Sequence, residues 1–273
     1  MKPTSASSIV RPHLWLRAQE CVLPERDEVH VWRADLNQGD STVRACYELL
    51  RPDERQRADR FHFARDREHF TVARGVLRQI LGGYLGSAPE QVRFAYNKYG
   101  KPALADDGGD VNELLSFNVS HSKGIALYAV AGGRRRVGLD IEHLREDFDS
   151  LTLAERFFSP TEVAALRALP AEQQRVAFFN CWTRKEAYIK ALGEGLSHPL
   201  DKFSVSLAPG EPAALLSTDD NPQEALRWSF VELSPGDGYV AALAVEGDAP
   251  PLVSCRQWLE EFSRKTLRAP MVS

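Results

Sequence analysis

Trp182-Thr183-Arg184-Lys185-Glu186-Ala187-Tyr188-Ile189-Lys190, read together with the earlier stretch Val137-Gly138-Leu139-Asp140-Ile141-Glu142, decides how this chain is understood. The later stretch belongs to a helical pattern running from about Ala171 to Leu192, where Gly193 and Gly195 end it. At 100° per residue, Phe178, Phe179, Trp182 and Ile189 fall within one sector of about 100°. Glu186 lies inside that sector and Lys190 at its edge. An unpaired carboxylate among large apolar side chains is costly, so a partner is expected. Two partners are open: an i,i+4 salt bridge to Lys190, or a cation shared with other acids.

The earlier stretch supplies those acids. Alternate side chains of a strand share a face, so Asp140 and Glu142 project the same way, about 7 Å apart. They repel one another unless something positive lies between them. A solvent-facing edge strand bearing two charges is one reading. A Mg²⁺ site is the other, because that ion takes a few carboxylates and completes its shell with water and phosphate oxygens.

Outward from these stretches the chain alternates helices and strands. His30 to Leu36 alternates as a half-buried strand would. Pro52 opens a charged helix through Arg57, and Asp66 to Leu85 repeats apolar residues at intervals of three and four, as a core-facing helix does. Phe117 to Ser120, Ile125 to Ala131 and Arg136 to Ile141 read as strands, with Gly132-Gly133 turning the second into the third as a hairpin. Ser159-Pro160-Thr161-Glu162 is a capping box. Phe203 to Leu207, Leu226 to Leu233 and Tyr239 to Val245 are the closing strands. The run Gly124 to Val130 also echoes Gly238 to Val245, each after a segment holding a long helix, as two similar α+β lobes would give.

Composition narrows the class. The 273 residues suffice for one large domain or two small ones, and 43% hydrophobic with 26% charged residues is ordinary for a globular protein. A net charge of -4 gives no ground for nucleic-acid binding, although local basic clusters suit a small polyanion. Cys21, Cys46, Cys181 and Cys255 lack metal-ligand spacing and read as reduced packing residues. The start of the chain has no signal-type apolar stretch and no run approaches a membrane span, so a cytoplasmic protein without a membrane partner is expected.

Further polar groups stand at loops and strand ends. Tyr99-Gly100-Lys101-Pro102 offers a lysine on a turn, and Asn118-Val119-Ser120-His121-Ser122 offers amide, hydroxyl and imidazole groups. Arg57 and Arg74 sit on the charged and the core-facing helix. Taken singly, each also reads as a turn, a polar loop or a solvated face.

Together these stretches, with Arg156-Phe157-Phe158-Ser159 and Glu162, resemble the 4′-phosphopantetheinyl transferase superfamily, in its two-lobed surfactin-type class. The resemblance covers roughly residues 50–245. It implies an α+β monomer of two pseudo-symmetric lobes, 13–133 and 134–250, with 1–12 and 251–273 as terminal extensions. It implies Mg²⁺-dependent transfer of phosphopantetheine from coenzyme A, bound between the lobes, to a serine hydroxyl of an apo carrier protein, releasing adenosine 3′,5′-bisphosphate. By position, Asp140, Glu142 and Glu186 would hold the metal, and Glu186 and Lys190 would serve the chemistry, Lys190 at the pyrophosphate. Ser120 and His121 would lie near the 3′-phosphate. Arg57, Arg74, Lys101, Pro102 and Lys185 would complete the coenzyme site. One departure stands out: some relatives have a lysine pair in the Pro52–Arg57 region, where this chain has Glu54 and Arg57. A metal-dependent phosphodiesterase or nuclease, and a non-catalytic coenzyme A- or carrier-binding module, are the alternative readings.

Overall fold

The protein is described from a computed structural model covering residues 14–18, 20–105, 115–133, 135–146, 149–219, 221 and 223–260. The terminal extension expected at 1–12 and the end of the chain beyond 260 lie outside the described residues.

Two sheets meet face to face, and each is backed by a long helix. The first sheet comprises β1 (Leu16–Arg17), β2 (Glu28–Asp35), β5 (Leu115–Ser122), β6 (Ile125–Gly132) and β12 (Leu252–Gln257), in the order β1-β12-β2-β6-β5. The second comprises β7 (Val137–His143), β10 (Trp228–Leu233) and β11 (Tyr239–Glu246), in the order β10-β11-β7. Between them, Val29, Val31, Leu127 and Ala129 pack on Val137, Leu139, Ile141 and Leu243. The other face of the first sheet, through Trp32, Ala126 and Tyr128, packs on α3 (Ala64–Leu85), and Ala242 and Ala244 of the second sheet share a core with α6 (Ala171–Leu192). The mixed α+β class implied by the sequence is the class observed.

Smaller elements fill the edges. α1 (Asp40–Glu48) and α2 (Pro52–Asp59) lie against α3. A short hairpin joins β3 (Phe94–Tyr96) to β4 (Pro102–Leu104), and α4 (Ser150–Phe157), α5 (Pro160–Ala168) and the ribbon β8 (Phe203–Val205) with β9 (Leu215–Thr218) surround α6. At the start of α5 the expected capping box forms: Ser159 N donates to Glu162 Oε2 at 2.8 Å and Glu162 N to Ser159 Oγ at 3.3 Å.

Three features differ from the sequence reading. β6 pairs with β5 and β2, not with β7, whose partner is β11. The tight turn is Lys123-Gly124, with φ of 40° and 89°, the positive pair that a two-residue hairpin of right-handed twist requires. Gly132-Gly133 instead leads the chain from one sheet to the other. β2 is buried on both faces rather than half-buried, because α3 covers the face of Trp32 and Ala34 and the second sheet covers that of Val29 and Val31. β12 itself returns from the far end of the chain and pairs in parallel with β2, and Trp258 beyond it is buried beside α3, donating to Gln79 Oε1 at 3.0 Å.

Candidate active site

The site begins with the strand–helix contact under α6. Gly138, Asp140 and Glu142 share the face of β7 that Val137, Leu139 and Ile141 do not use. A Cβ at Gly138 would overlap the backbone of Ala187 and Ala191, so the missing side chain lets α6 lie directly on β7. Ala187 and Ala191 on the helix and Ala242 and Ala244 on the sheet keep the approach close. On the adjoining flank of α6, Trp182, Glu186 and Lys190 form a half-buried stripe one turn apart, whereas Phe179 and Ile189 are fully buried.

Close approach brings Lys190 onto the strand acid. Its ammonium donates to Asp140 Oδ1 at 2.6 Å and to Ser120 Oγ at 3.0 Å, and Ser120 Oγ donates to the same Asp140 oxygen at 2.8 Å. Lys190 therefore pairs with Asp140, the cross-element partner, rather than with Glu186 on its own helix. β5 and β7 meet along a matched row. Asn118 Oδ1 accepts from Leu139 N at 2.9 Å, and Ser122 Oγ donates to Glu142 Oε2 at 3.0 Å. Asn118, Ser120 and Ser122 are two residues apart on one strand, so their common face was readable from the sequence. Ser122, absent from the expected site set, is the hydroxyl that binds Glu142.

Charge at this point is only partly balanced. Asp140 is 4% exposed, and among the described residues its Oδ2 has no hydrogen-bond partner. Burial, and then Asp140 nearby, push Glu142 above the ordinary carboxylate range. Burial, and then the same aspartate, push Glu186 up to about 7 against the opposing pull of Lys190. Burial together with Lys190 and His69 holds the His121 imidazole below its usual value. Among the described residues, no group of three or more His, Cys, Asp or Glu side chains closes on a common point.

The remaining expected contacts are distributed around this centre. Arg57 and Arg74 lie over the Phe70 ring, 5.3 and 6.0 Å from its centroid, and Arg74 also lies 4.9 Å from that of Phe94. Glu54 has a structural role. It is buried, accepts from Arg51 N at 2.9 Å to cap α2, and pairs with Arg78 at 2.7 Å and Arg74 at 3.6 Å. Lys101 and Pro102 line a cavity of about 580 Å³ with Tyr96, Phe117, Arg135 and Arg136. The Lys101 ammonium, however, donates to the carbonyls of Ala191 and Val137.

Lys185 requires correction as a coenzyme contact. Its side chain is 0% exposed and all three protons are used, by Glu162 Oε2 at 2.8 Å and by the Leu200 and Phe203 carbonyls at 2.6 Å each. One residue before Glu186 is a 100° rotation away, which turns Lys185 into the core beneath α6.

This combination of fold and site has relatives. Residues 34–132 match the family described as 4′-phosphopantetheinyl transferase, N-terminal, and residues 136–244 match the 4′-phosphopantetheinyl transferase superfamily. The chain is 46% identical over 235 residues to the 4′-phosphopantetheinyl transferase HetI of Nostoc sp., covering 86% of this chain and 94% of that protein. It is 34% identical over 186 residues to psf-1 of Bacillus pumilus, covering 66% and 75%. With Sfp of Bacillus subtilis it shares 33% identity over 159 residues, covering 58% and 67%. The chain belongs to the 4′-phosphopantetheinyl transferase superfamily, in its Sfp-type class.

Proposed function

We propose that this enzyme transfers the 4′-phosphopantetheine group of coenzyme A to a serine hydroxyl of an apo acyl or peptidyl carrier protein, with Mg²⁺, releasing adenosine 3′,5′-bisphosphate. The supporting observation is the charge imbalance at Asp140. A buried carboxylate oxygen without a partner, beside two acids whose ionisation is opposed by burial and by that aspartate, favours a hard cation. The donor chemistry fits Mg²⁺, with Asp140, Glu142 and Glu186 as its holders. When bound, the ion would neutralise charge on the pyrophosphate.

The chain's own groups account for the rest. Lys190, already tied to Asp140 and Ser120, presents an ammonium to the diphosphate. Arg57 and Arg74 with their aromatic partners, His121, and the cavity beside Pro102 receive the nucleotide end, between halves taken as 13–133 and 134–250. The serine oxygen bonds to the β-phosphorus while the bond from that phosphorus to the bridging oxygen breaks, and the electron pair leaves on the bisphosphate. Glu186, whose carboxyl burial and then Asp140 raise to about 7, takes the serine proton. Such transfer depends mainly on positioning and charge neutralisation, which these groups supply.

Among the described residues, no helix is long and apolar enough to cross a membrane. A cytoplasmic monomer acting on a soluble carrier completes the proposal. Purified protein incubated with coenzyme A, Mg²⁺ and a panel of apo carriers is expected to add one phosphopantetheine mass to at least one carrier. No mass gain on any carrier would overturn the reading.

A further inference from the structure

The hairpin β3–β4 reaches across the molecule and grips the end of α6. The last carbonyls of a helix have no partner within it. Here the Ile189 carbonyl accepts from Gly193 N at 2.9 Å, and side chains from the hairpin serve two others. Lys101 Nζ donates to Ala191 O at 3.2 Å, and Asn97 Nδ2 donates to Gly193 O at 2.7 Å. Asn97 Oδ1 in turn accepts from Tyr99 N and Lys101 N at 2.9 Å each, which fixes the turn that presents the lysine. Gly193 has φ 77°, and a Cβ there would lie 3.3 Å from Asn97 Nδ2 and 3.4 Å from Lys101 Cδ, so the hairpin sits hard against the helix end.

Lys101 also donates to Val137 O at 3.3 Å. Ala191 follows Lys190 on α6, and Val137 precedes Gly138 and Asp140 on β7. One ammonium therefore ties together the two elements that bear the acids, at the end where they touch. We propose that Lys101 is a positioning residue, a brace that fixes the separation of α6 from β7 and so sets Lys190 and Glu186 against Asp140 and Glu142. The brace differs from the nucleotide contact expected of Lys101 from family resemblance. Two of the ammonium's three protons are held by backbone carbonyls. Burial, and then Arg136, bring the group down to about 8, as befits an ammonium enclosed between elements.

The geometry makes the brace effective as a lever. Glu186 lies five residues before Ala191, about 7.5 Å along the helix, and Asp140 lies three residues after Val137, about 10 Å along the strand. Loosening the last turn of α6 moves Lys190 first and Glu186 next, while β7 stays held by β11. Misplacement of a reacting group by about 1 Å is enough to slow a reaction by about 100-fold.

The kinetic part of the test rests on the transfer reading, and a second part does not. Lys101→Met keeps the length of the side chain and removes its donors. Hydrogen exchange of the amides from Lys190 to Gly193 is expected to accelerate at least ~10-fold in this variant, with the middle of α6 still protected. Carrier labelling is expected to lose ~10–100-fold in kcat, with KM for coenzyme A within about 3-fold. Lys101→Arg, which can donate to both carbonyls, is expected to recover both readouts. Asn97→Asp keeps the acceptor to the turn but loses the donor to Gly193, and is expected to change both in the same direction by less. A rise in KM for coenzyme A at unchanged kcat would make Lys101 a nucleotide contact and overturn the brace. Unchanged exchange in both Lys101→Met and Asn97→Asp would do the same. Should Lys101→Met not fold, Asn97→Asp and Lys101→Arg decide the matter. Absence of labelling by the wild-type protein would count against the proposed function alone, leaving exchange to judge the brace.

Discussion

Two buried acid–lysine pairs lie on neighbouring faces of α6, and they differ in how completely they are satisfied. Glu162 and Lys185 form a closed pair. One carboxylate oxygen accepts from Ser159 N and Lys185, the other from Val205 N at 2.8 Å, and the ammonium has two carbonyls besides. Asp140 and Lys190 form an open pair: Asp140 Oδ2 is unpartnered, and the Lys190 side chain is 29% exposed. A closed pair holds elements together and has no valence left for a ligand. An open pair retains attraction for a further charge, which is what a site for a metal and a diphosphate requires.

Asp140→Asn tests the open pair and carries the largest expected effect. The amide oxygen still accepts from Lys190 and Ser120, so the unfolding free energy from urea melts should change by no more than about 1 kcal/mol. Transfer to a carrier should nonetheless fall by ~10³-fold or more, equivalent to about 4 kcal/mol of barrier. Residual labelling near the wild-type rate would show that the open oxygen is not used.

Glu162→Gln should invert that pattern. It leaves the Lys185 ammonium buried without its counter-charge, a loss of about 3–5 kcal/mol of stability by chemical denaturation. The folded fraction should label carriers at close to the normal turnover, because neither partner faces the site. Adding Lys185→Met to this variant should recover part of the stability, since an uncharged pair of similar volume removes the stranded charge.

Gly138→Ala lies between the two pairs, where α6 rests on β7. The added methyl meets helix backbone, which cannot rotate away as a side chain can. A stability loss of about 1–3 kcal/mol is expected from overpacking. Labelling should fall with it, because a displaced α6 carries Lys190 away from Asp140. A crystal structure of the variant should show the Lys190–Asp140 separation lengthened.

How much of this contrast was legible in the sequence follows from what a sequence position fixes. Period two placed Asp140 and Glu142 on one face, and the helical repeat with its terminal glycines bounded α6 from Ala171 to Leu192, as observed. Lys185 was misread because a motif places it beside Glu186, whereas its surroundings depend on which elements lie under that side of the helix. Here those are α5 and β8, and the capping glutamate of α5 is its partner. Lys101 was picked out, but its two carbonyl partners were not legible for the same reason, since only the packing of the hairpin on α6 puts them in its reach. The pairing of β6 was misassigned because Gly132-Gly133 is a stronger turn signal than Lys123-Gly124, where a lysine adopts the positive φ. The return of β12 into the first sheet joins residues more than two hundred positions apart, and no local pattern encodes it.

The smallest expected effect concerns pH, and it separates the two pairs without abolishing anything. Glu186 neighbours the open pair, and its carboxyl is raised from an ordinary 4.5 to about 7, by burial first and Asp140 next. Between these values the folded protein holds a proton that the unfolded chain has released, so stability falls as pH rises. The contribution is fully present below about 4.5 and is lost above about 7. In urea melts from pH 5 to 8 without divalent ions, Glu186→Gln should lose less stability than the wild type, by on the order of 1 kcal/mol after screening of a half-buried group. Magnesium should narrow the gap at the upper end, because a cation favours the ionised acids that repulsion otherwise opposes. Parallel profiles for the two proteins would mean that Glu186 does not sense the open pair.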